Sequence, residues 1–341
     1  MVDPLLVSAV LVAVVFAYVN GMQDASNAVS TTIATRSLTA TSALRAAAML
    51  NVLGGIIGVV LPALTVAAAL ALLAAPDPNV LGPDASRQIA VVVMVAGIAV
   101  ILWNLVTWAL GIPSSSWHAL FGAMAGAAFV SDLAVAWGRG LSLVLLPMLL
   151  LPIVGGALAF SLVHLFSVLT VAERLRMGHL RALQVIAASI IATGHGVNNV
   201  RMPAAIVLVA AGAVGVHSTG GTVGILPGAL AAVILALGLG TLAGGRRIIR
   251  TLARRITDLS TPQGLAAQAS AAIVLAVASV AGLPTSSTHT VTSGIAGSAL
   301  AVGARTVRWP VIGRIVLAWA ATPIAAALLA MLLQAGIGRA L

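Results

Sequence analysis

The chain alternates between long apolar runs and short polar segments, a pattern that predicts a protein built of membrane-spanning helices. A helix needs about 20 mainly apolar residues to cross a bilayer. Most runs are long enough, but the fourth and ninth are short and follow Pro-Ser/Thr segments, where a helix is expected to break. The ten runs cover residues 5–20, 43–75, 89–110, 119–130, 141–169, 183–212, 223–242, 265–281, 291–302 and 311–333.

Two pairs of motifs recur in the same order, which predicts an internal duplication. Gly-Ile-Pro-Ser-Ser-Ser-Trp-His at 111–118 matches Gly-Leu-Pro-Thr-Ser-Ser-Thr-His at 282–289. Upstream of them, Asn-Gly-Met-Gln-Asp-Ala-Ser-Asn at 20–27 is paired with His-Gly-Val-Asn-Asn-Val-Arg-Met at 195–202. The spacing of the paired motifs is about half the length of the chain. Chance recurrence of both pairs is improbable, so a repeated unit is expected.

The arginines predict that the two repeats, residues 1–172 and 173–341, are inverted relative to each other. Cytoplasmic loops of membrane proteins are rich in basic residues. Placing every basic loop in the cytoplasm requires an external amino terminus and about five membrane segments per repeat, an odd number. The predicted fold class is therefore an all-α polytopic membrane protein with two inverted repeats and broken helices or hairpins at the midplane. The basic loops contain Arg36, Arg45, Arg174, Arg176, Arg181, the cluster at 246–255, Arg305, Arg308 and Arg314.

Composition excludes a water-soluble fold. The 341 residues are 61% hydrophobic and only 7% charged, far below the roughly 25% of a soluble domain. The net charge of +10 comes from arginines in short loops, so we interpret the 246–255 cluster as a topology signal and expect no nucleic-acid partner. The absence of cysteine excludes a thiolate metal site. We expect a multi-pass protein of the plasma (inner) membrane with no cofactor and no tightly bound metal.

The hydroxyl groups of the two Pro-Ser/Thr segments are candidate anion ligands. A broken membrane helix leaves backbone N–H groups that need partners, and the next helix N-terminus attracts an anion. Two such N-termini aimed at one point would bind a tetrahedral oxyanion. Alternatively, these side chains only cap helices or join them. The candidates are Ser114, Ser115, Ser116, Thr285, Ser286, Ser287 and Thr288.

Asp24 is the one carboxylate that is predicted to lie inside a membrane span. A charge there costs about 2.5 to 3.5 kcal/mol on insertion scales and marks a functional site by default. Its neighbours Asn20, Gln23 and Asn27 offer carbonyl oxygens, which suit a hard cation such as Na⁺. Asp24 could instead carry a proton, or be satisfied by structural hydrogen bonds.

The second copy of the upstream motif contains a buried positive charge, Arg201. It could be a fixed charge for the anion, or it could pair with Asp24 and have no other role. The motif histidines His118, His195 and His289 could contact an oxyanion or move protons, and each could also be a simple hydrogen bonder between helices.

An intramembrane hydrolase that uses Ser116 and His118, or their second-copy counterparts Ser287 and His289, is the rival class. A nucleophile and its base must lie within about 2.6 to 3.2 Å, and nearby helical positions point apart. Duplicated hydroxyls also favour binding over catalysis, so we predict that the protein is not an enzyme.

Four motifs in order, at 20–28, 103–119, 261–268 and 282–290, resemble those of the PiT family of inorganic phosphate transporters. The resemblance implies a phosphate symporter driven by protons or sodium, usually a homodimer, with the anion held between the two Ser/Thr segments. It also implies that Asp24 and Asn27 belong to the cation and phosphate site.

The chain departs from the family pattern in the second copy. The family usually has Asn-Asp where this chain has Asn198 and Asn199, which we keep as coupling-ion candidates, and an uncharged residue where it has Arg201. Trp117 replaces a serine in the first Pro-Ser segment. We hypothesise that Arg201 takes the place of one coupling cation, so that fewer cations move per anion. With a single carboxylate near the site, sulfate becomes an alternative to phosphate, because sulfate has no proton to donate to a carboxylate.

Overall fold

The computed structural model describes residues 2–59, 83–139, 142, 146–216, 225–280 and 285–337. Eight helical stretches in these residues are long and apolar enough to cross a membrane, which confirms the all-α, multi-pass prediction. The main helices are α1 (Pro4–Ala34), α2 (Ala40–Val59), α3 (Pro83–Leu110), α4 (Ser116–Val130), α5 (Leu146–Val171), α6 (Met177–Asn199), α7 (Arg201–Ala213), α8 (Ile225–Ala243), α9 (Thr261–Val280), α10 (Ser287–Leu300) and α11 (Trp309–Ile337).

Helix α1 begins at Pro4 and is capped by Asp3. The Asp3 side chain accepts a 2.8 Å hydrogen bond from the Leu5 amide, and Pro4 occupies the first helical position, where no N–H is needed. Arg87 at the start of α3 forms a 3.1 Å ion pair with Asp3, so the two helices begin at the same end of the molecule. The Leu5 amide and the Arg87 guanidinium lower the pKa of the Asp3 carboxyl.

Helices α6 and α7 form one span that is interrupted at Val200. Pro203 has no N–H to donate to the carbonyl of Asn199, four residues earlier, so this one helical hydrogen bond is missing, while the Ala204 amide still donates to the Val200 carbonyl. The interruption lies within the second copy of the upstream motif.

Helices α3 and α4 form a hairpin, and so do α9 and α10. The Gln88 Nε2 atom donates a 2.8 Å hydrogen bond to the Ser131 carbonyl, which joins the start of α3 to the end of α4. The Gln263 Nε2 atom donates a 3.3 Å bond to the Ser298 carbonyl and joins α9 to α10 in the same way. The predicted break at 111–115 is present, whereas residues 282–284 of the second segment lie outside the described residues.

The helices of the two sequence halves pack against each other at corresponding glycines. A Cβ on Gly240 of α8 would lie 2.0 Å from the Tyr18 carbonyl of α1, and one on Gly54 of α2 would lie 2.0 Å from the Thr193 carbonyl of α6. Tyr18 and Thr193 are 175 positions apart, the spacing of the upstream motifs. Bare backbone at these contacts lets the helices approach closely.

A second pair of contacts follows the spacing of the Pro-Ser/Thr motifs. A Cβ on Gly126 of α4 would lie 2.3 Å from the Ala327 carbonyl of α11, and one on Gly297 of α10 would lie 2.1 Å from the Gly156 carbonyl of α5. Both members of the second contact are displaced by 171 positions from the first. The internal similarity of the sequence therefore extends to the packing of the helices.

Candidate functional site

The middle of α1 carries a buried polar stretch, and Asp24 lies at its centre with 5% exposure. Its Oδ2 atom accepts a 2.8 Å hydrogen bond from Asn199 of α6. Its Oδ1 atom accepts bonds of 3.1 Å from Asn27 and 3.3 Å from the Thr288 hydroxyl of α10. Three separate helices thus supply donors to one carboxylate, which stabilises its charged form.

The same stretch of α1 contacts the tips of both hairpins. On one side, the Gln23 amide donates a 2.8 Å bond to the Ser114 hydroxyl, and the Ser116 hydroxyl donates a 2.9 Å bond to the Asn20 carbonyl oxygen. On the other side, the Asn27 amide donates a 2.9 Å bond to Thr288. Helix α1 therefore links the two Pro-Ser/Thr segments through side chains.

The two hairpin tips end in matching helix N-termini. Ser115 caps α4 by accepting a 3.3 Å bond from the His118 amide, and Ser286 caps α10 by accepting a 3.2 Å bond from the His289 amide. The rings of His118 and His289 stack with centroids 4.5 Å apart, and His289 also stacks on Trp319 at 3.8 Å. Because these histidines lie on the first turns of α4 and α10, both N-termini reach one buried region.

Several buried acceptor and ring atoms in this region have no hydrogen-bond partner among the described residues. They include the side-chain carbonyl oxygens of Gln23 and Asn27, which are free to contact a cation. The Nδ1 atom of His118 and the Nε2 atom of His289 are also without partners, as are both ring nitrogens of His195 on α6. His195 is buried but makes no side-chain contact that joins it to the hairpin tips.

Arg201 does not pair with Asp24, so that alternative for its role is wrong. The ion pairs in the described part of the chain are Asp3 with Arg87 and Asp258 with Arg308. Arg201 begins α7, half-buried, with a buried Nε atom that has no partner among the described residues.

The hydrolase geometry is also not present. The Ser116 hydroxyl donates to Asn20 and accepts a 3.0 Å bond from Asn104, and no bond joins it to His118. Without a base in contact, Ser116 is a hydrogen-bonding group and not an activated nucleophile.

The 246–255 cluster does more than signal topology. The Arg247 guanidinium donates to the Ala109 carbonyl and lies 5.4 Å from the centre of the Trp108 ring. The Thr251 hydroxyl donates a 2.7 Å bond to the Gly111 carbonyl. These contacts hold the end of α3 at the first hairpin tip. Arginines spaced like a cytoplasmic loop give no sequence signal for such contacts.

Most of the predicted site residues belong to a polar network around the middle of α1, and the described side-chain contacts divide it into groups at Gln23, at Asp24 and at the stacked histidines. Thr107 belongs to it as well, through a 2.9 Å bond to Ser114, although no sequence pattern selects this residue. The predicted residues that the described hydrogen bonds and stacking contacts join are Asn20, Gln23, Asp24, Asn27, Ser114, Ser115, Ser116, His118, Asn199, Ser286, Ser287, Thr288 and His289. Thr285 is buried beside Ser286, whereas Asn198, His195 and Arg201 make no side-chain bond to the network.

Fold and site together define a helical, multi-pass membrane transport protein. A profile of the phosphate transporter family matches the chain twice, over residues 20–180 and 170–330. The chain is 35% identical over 336 residues to a probable low-affinity inorganic phosphate transporter of Rhizobium meliloti (strain 1021), covering 96% of this chain and 95% of that protein. A probable low-affinity inorganic phosphate transporter of Bacillus subtilis (strain 168) is 29% identical, with 96% of each chain covered.

The fold has a solved counterpart. The structure of a sodium-dependent phosphate transporter matches with a TM-score of 0.84 at 19% identity, covering 99% of this chain and 100% of that chain. This match shows the fold, and the profile matches and the 35% identity to the Rhizobium meliloti protein show that the chain belongs to the phosphate transporter family, as the motifs indicated.

Proposed function

We propose that this protein imports inorganic phosphate across the plasma membrane by symport with sodium ions or protons. The observation that carries the proposal is the meeting of two capped helix N-termini, at Ser115 and Ser286, beside the buried carboxylate of Asp24. Helix N-termini attract oxyanions, and a buried carboxylate with free amide oxygens nearby attracts a cation. Anion and cation sites in contact are what a symporter needs.

Alternating access in this proposal uses two inverted repeats, residues 1–172 and 173–341. Hairpin α3–α4 begins and ends near Asp3 and Arg87. Hairpin α9–α10 begins close to the other end of α1, because Gly264 of α9 packs against Thr35, the residue after α1. The two hairpins therefore enter from opposite ends of α1. In its described residues each repeat then has three through-going spans and one re-entrant hairpin, again an odd number. The two hairpins can move alternately around a fixed midplane site.

The anion would be held between the hairpin tips. Ser115 and Ser286 orient the N–H groups of α4 and α10, and their neighbouring hydroxyls offer further donors. The stacked rings of His118 and His289 lie between the tips, and Arg201 contributes long-range positive charge. The proposed phosphate ligands are Ser114, Ser115, Ser116, Thr285, Ser286, Ser287, Thr288, Asn27 and Arg201.

The coupling ion would bind at Asp24. The carbonyl oxygens of Gln23 and Asn27 are buried without donors among the described residues and are the type of ligand that a hard cation prefers. Asn20, Asn198 and Asn199 complete the polar surroundings. A proton on Asp24 would satisfy the same charge balance. We also expect a homodimer, as the family resemblance implies.

The proposal predicts concentrative uptake by the purified protein in proteoliposomes. Labelled phosphate should accumulate when an inward sodium gradient or an inward proton gradient is imposed, and not when both are absent. Running each gradient alone identifies the coupling ion. Phosphate uptake that ignores both gradients would contradict symport.

Sulfate is the second substrate candidate, because one carboxylate and the extra charge of Arg201 reduce the penalty for an anion without a proton. Family membership favours phosphate. A large excess of unlabelled sulfate should therefore leave labelled phosphate uptake unchanged, and full competition by sulfate would reverse the assignment.

A further inference from the structure

The polar contacts of Asp24 have a counterpart of different chemistry in the other half of the molecule. The motif at 20–27 aligns with 195–202, so Asp24 corresponds to Asn199 and Asn27 to Met202. The motif at 111–118 aligns with 282–289, so Thr288 corresponds to Trp117.

Helix packing supports this alignment independently of the motifs. The contact of Gly21 with the Leu237 carbonyl is repeated by Gly196 with the Asn51 carbonyl, at Cβ distances of 2.2 Å in both cases. Gly21 and Gly196 are 175 positions apart, as are Asp24 and Asn199.

The side chains also meet at equivalent positions. Asn199 donates directly to its own counterpart, Asp24, at 2.8 Å, and His118 stacks on its counterpart, His289. Contacts between equivalent residues arise on a pseudo-two-fold axis. The region around Asn199 is therefore related by symmetry to the region around Asp24.

In the second region the carboxylate and two of its polar partners are replaced, whereas the amide of Gln23 is kept as the amide of Asn198. The carboxylate of Asp24 becomes the neutral amide of Asn199, whose nitrogen is already bonded to Asp24. The amide of Asn27 becomes the thioether of Met202, and the hydroxyl of Thr288 becomes the indole of Trp117. A thioether is a soft ligand and an indole only donates, so neither coordinates a hard cation.

Apolar side chains form one side of the space in the second region. Trp117 and Met202 line a small cavity together with Phe16 and Leu120, and the polar residues Asn20, Ser116, Asn198 and Asn199 line the rest of it. Met202 belongs to a large hydrophobic core, and Trp117 packs against that core. Asn27 and Thr288, by contrast, bond to each other at 2.9 Å.

The neighbouring charge has the wrong sign for a cation. Arg201 lies between Asn199 and Met202 in the chain and corresponds to Ser26 in the first copy. A half-buried guanidinium next to this region repels a cation, and the salt bridges of the described residues do not neutralise it.

We infer that this transporter has a single coupling-cation site, at Asp24, and that the symmetry-related site at Asn199, which has no carboxylate and is bordered by Trp117 and Met202, binds no cation. The inference rests on the proposed function, since it concerns how many ions accompany the anion. It also revises the role of Arg201. Its positive charge further disfavours a cation at a position where the surrounding side chains no longer supply cation ligands.

The first test measures cation dependence after Asp24→Asn. Phosphate counterflow between equal pools should persist at a reduced rate, but stimulation by the coupling cation should be lost completely. The matched control Asp132→Asn changes an exposed acid and should keep the wild-type cation dependence. Residual stimulation in Asp24→Asn would reveal a second cation site and overturn the inference.

The second test restores the missing ligands. The triple variant Trp117→Thr, Met202→Asn, Asn199→Asp should raise the ratio of cations to phosphate above the wild-type ratio and make cation activation steeper. The double variant that keeps Asn199 supplies no new carboxylate and should keep the wild-type ratio.

A wild-type Hill coefficient for cation activation close to one supports the single site, and a value near two overturns it. If the triple variant does not fold, the Hill coefficient and Asp24→Asn decide the question. Wild-type protein without cation-driven phosphate uptake would refute the proposed function itself, a result distinct from an altered ion count.

Discussion

Asp24 is surrounded by amide and hydroxyl donors, and no described arginine neutralises it. Hydrogen bonds stabilise a buried carboxylate but leave its net charge inside the low-dielectric interior. The charge is balanced when a cation or a proton arrives. Bringing in a dianionic substrate without that balance adds repulsion, so ion binding and anion binding favour each other at this site.

The serine caps allow a direct test of the anion site. Ser115→Ala and Ser286→Ala each remove a cap, a loss of about 1 kcal/mol, and we expect the KM for phosphate to rise roughly fivefold or more in each. Initial uptake rates over a range of phosphate concentrations measure this effect.

The control for the caps is Ser161→Ala. The Ser161 hydroxyl bonds only to its own helix and faces away from the hairpin tips. An unchanged KM in both cap variants would place the anion elsewhere.

Individual site residues were predictable where the duplication marked them. Ser115 and Ser286 occur in matching motifs, and two copies with one spacing identify a position better than either copy alone. Trp319 was not predictable, because a tryptophan in an apolar run is indistinguishable from one that faces lipid. Its stacking on His289 depends on how α11 packs, which one sequence does not specify.

At the scale of the helix, the hydrophobic pattern predicted where the membrane helices lie better than it predicted where they are interrupted. The long run at 183–212 predicts a membrane helix, and the structure interrupts that helix at Val200, where Pro203 cannot donate to the Asn199 carbonyl. The helix breaks in the hairpins were easier to predict, because each Pro-Ser/Thr segment lies between one long and one short apolar run. Whether those segments crossed or turned back depended on contacts such as Gln88 with Ser131.

The close approach of α4 and α11 gives a prediction for a single helix contact. A Cβ on Gly122 would lie 1.9 Å from the Pro323 carbonyl, so Gly122→Ala forces the two helices apart. We expect a loss of stability of about 1 to 3 kcal/mol or more, seen as a lower melting temperature in detergent. The control Gly212→Ala adds a methyl group to open space near the end of α7 and should melt like the wild type. Equal melting of both variants would contradict this packing.

At the scale of the whole molecule, arginine distribution and helix contacts agree on an orientation. Ion pairing of Arg308 with Asp258 joins two basic segments, and hydrogen bonding of Thr35 to Gln184 joins two others. The opposite end contains Asp3, Arg87 and the exit of α4 at Ser131. One end is therefore strongly basic, and we propose that it faces the cytoplasm.

Inversion of the repeats predicts that equivalent positions lie on opposite sides of the membrane. Asp132 follows α4 and Arg305 follows α10, and both are exposed. The chain has no cysteine, so Asp132→Cys and Arg305→Cys each introduce one thiol without background.

In intact cells a membrane-impermeant maleimide should label Asp132→Cys and leave Arg305→Cys unlabelled, and permeabilised cells should label both. Because the two residues occupy nearly the same place in their repeats, a difference in sidedness can only come from opposite insertion of the two halves. Labelling of both thiols in intact cells would mean parallel repeats, and the hairpins could then not approach one site from opposite sides.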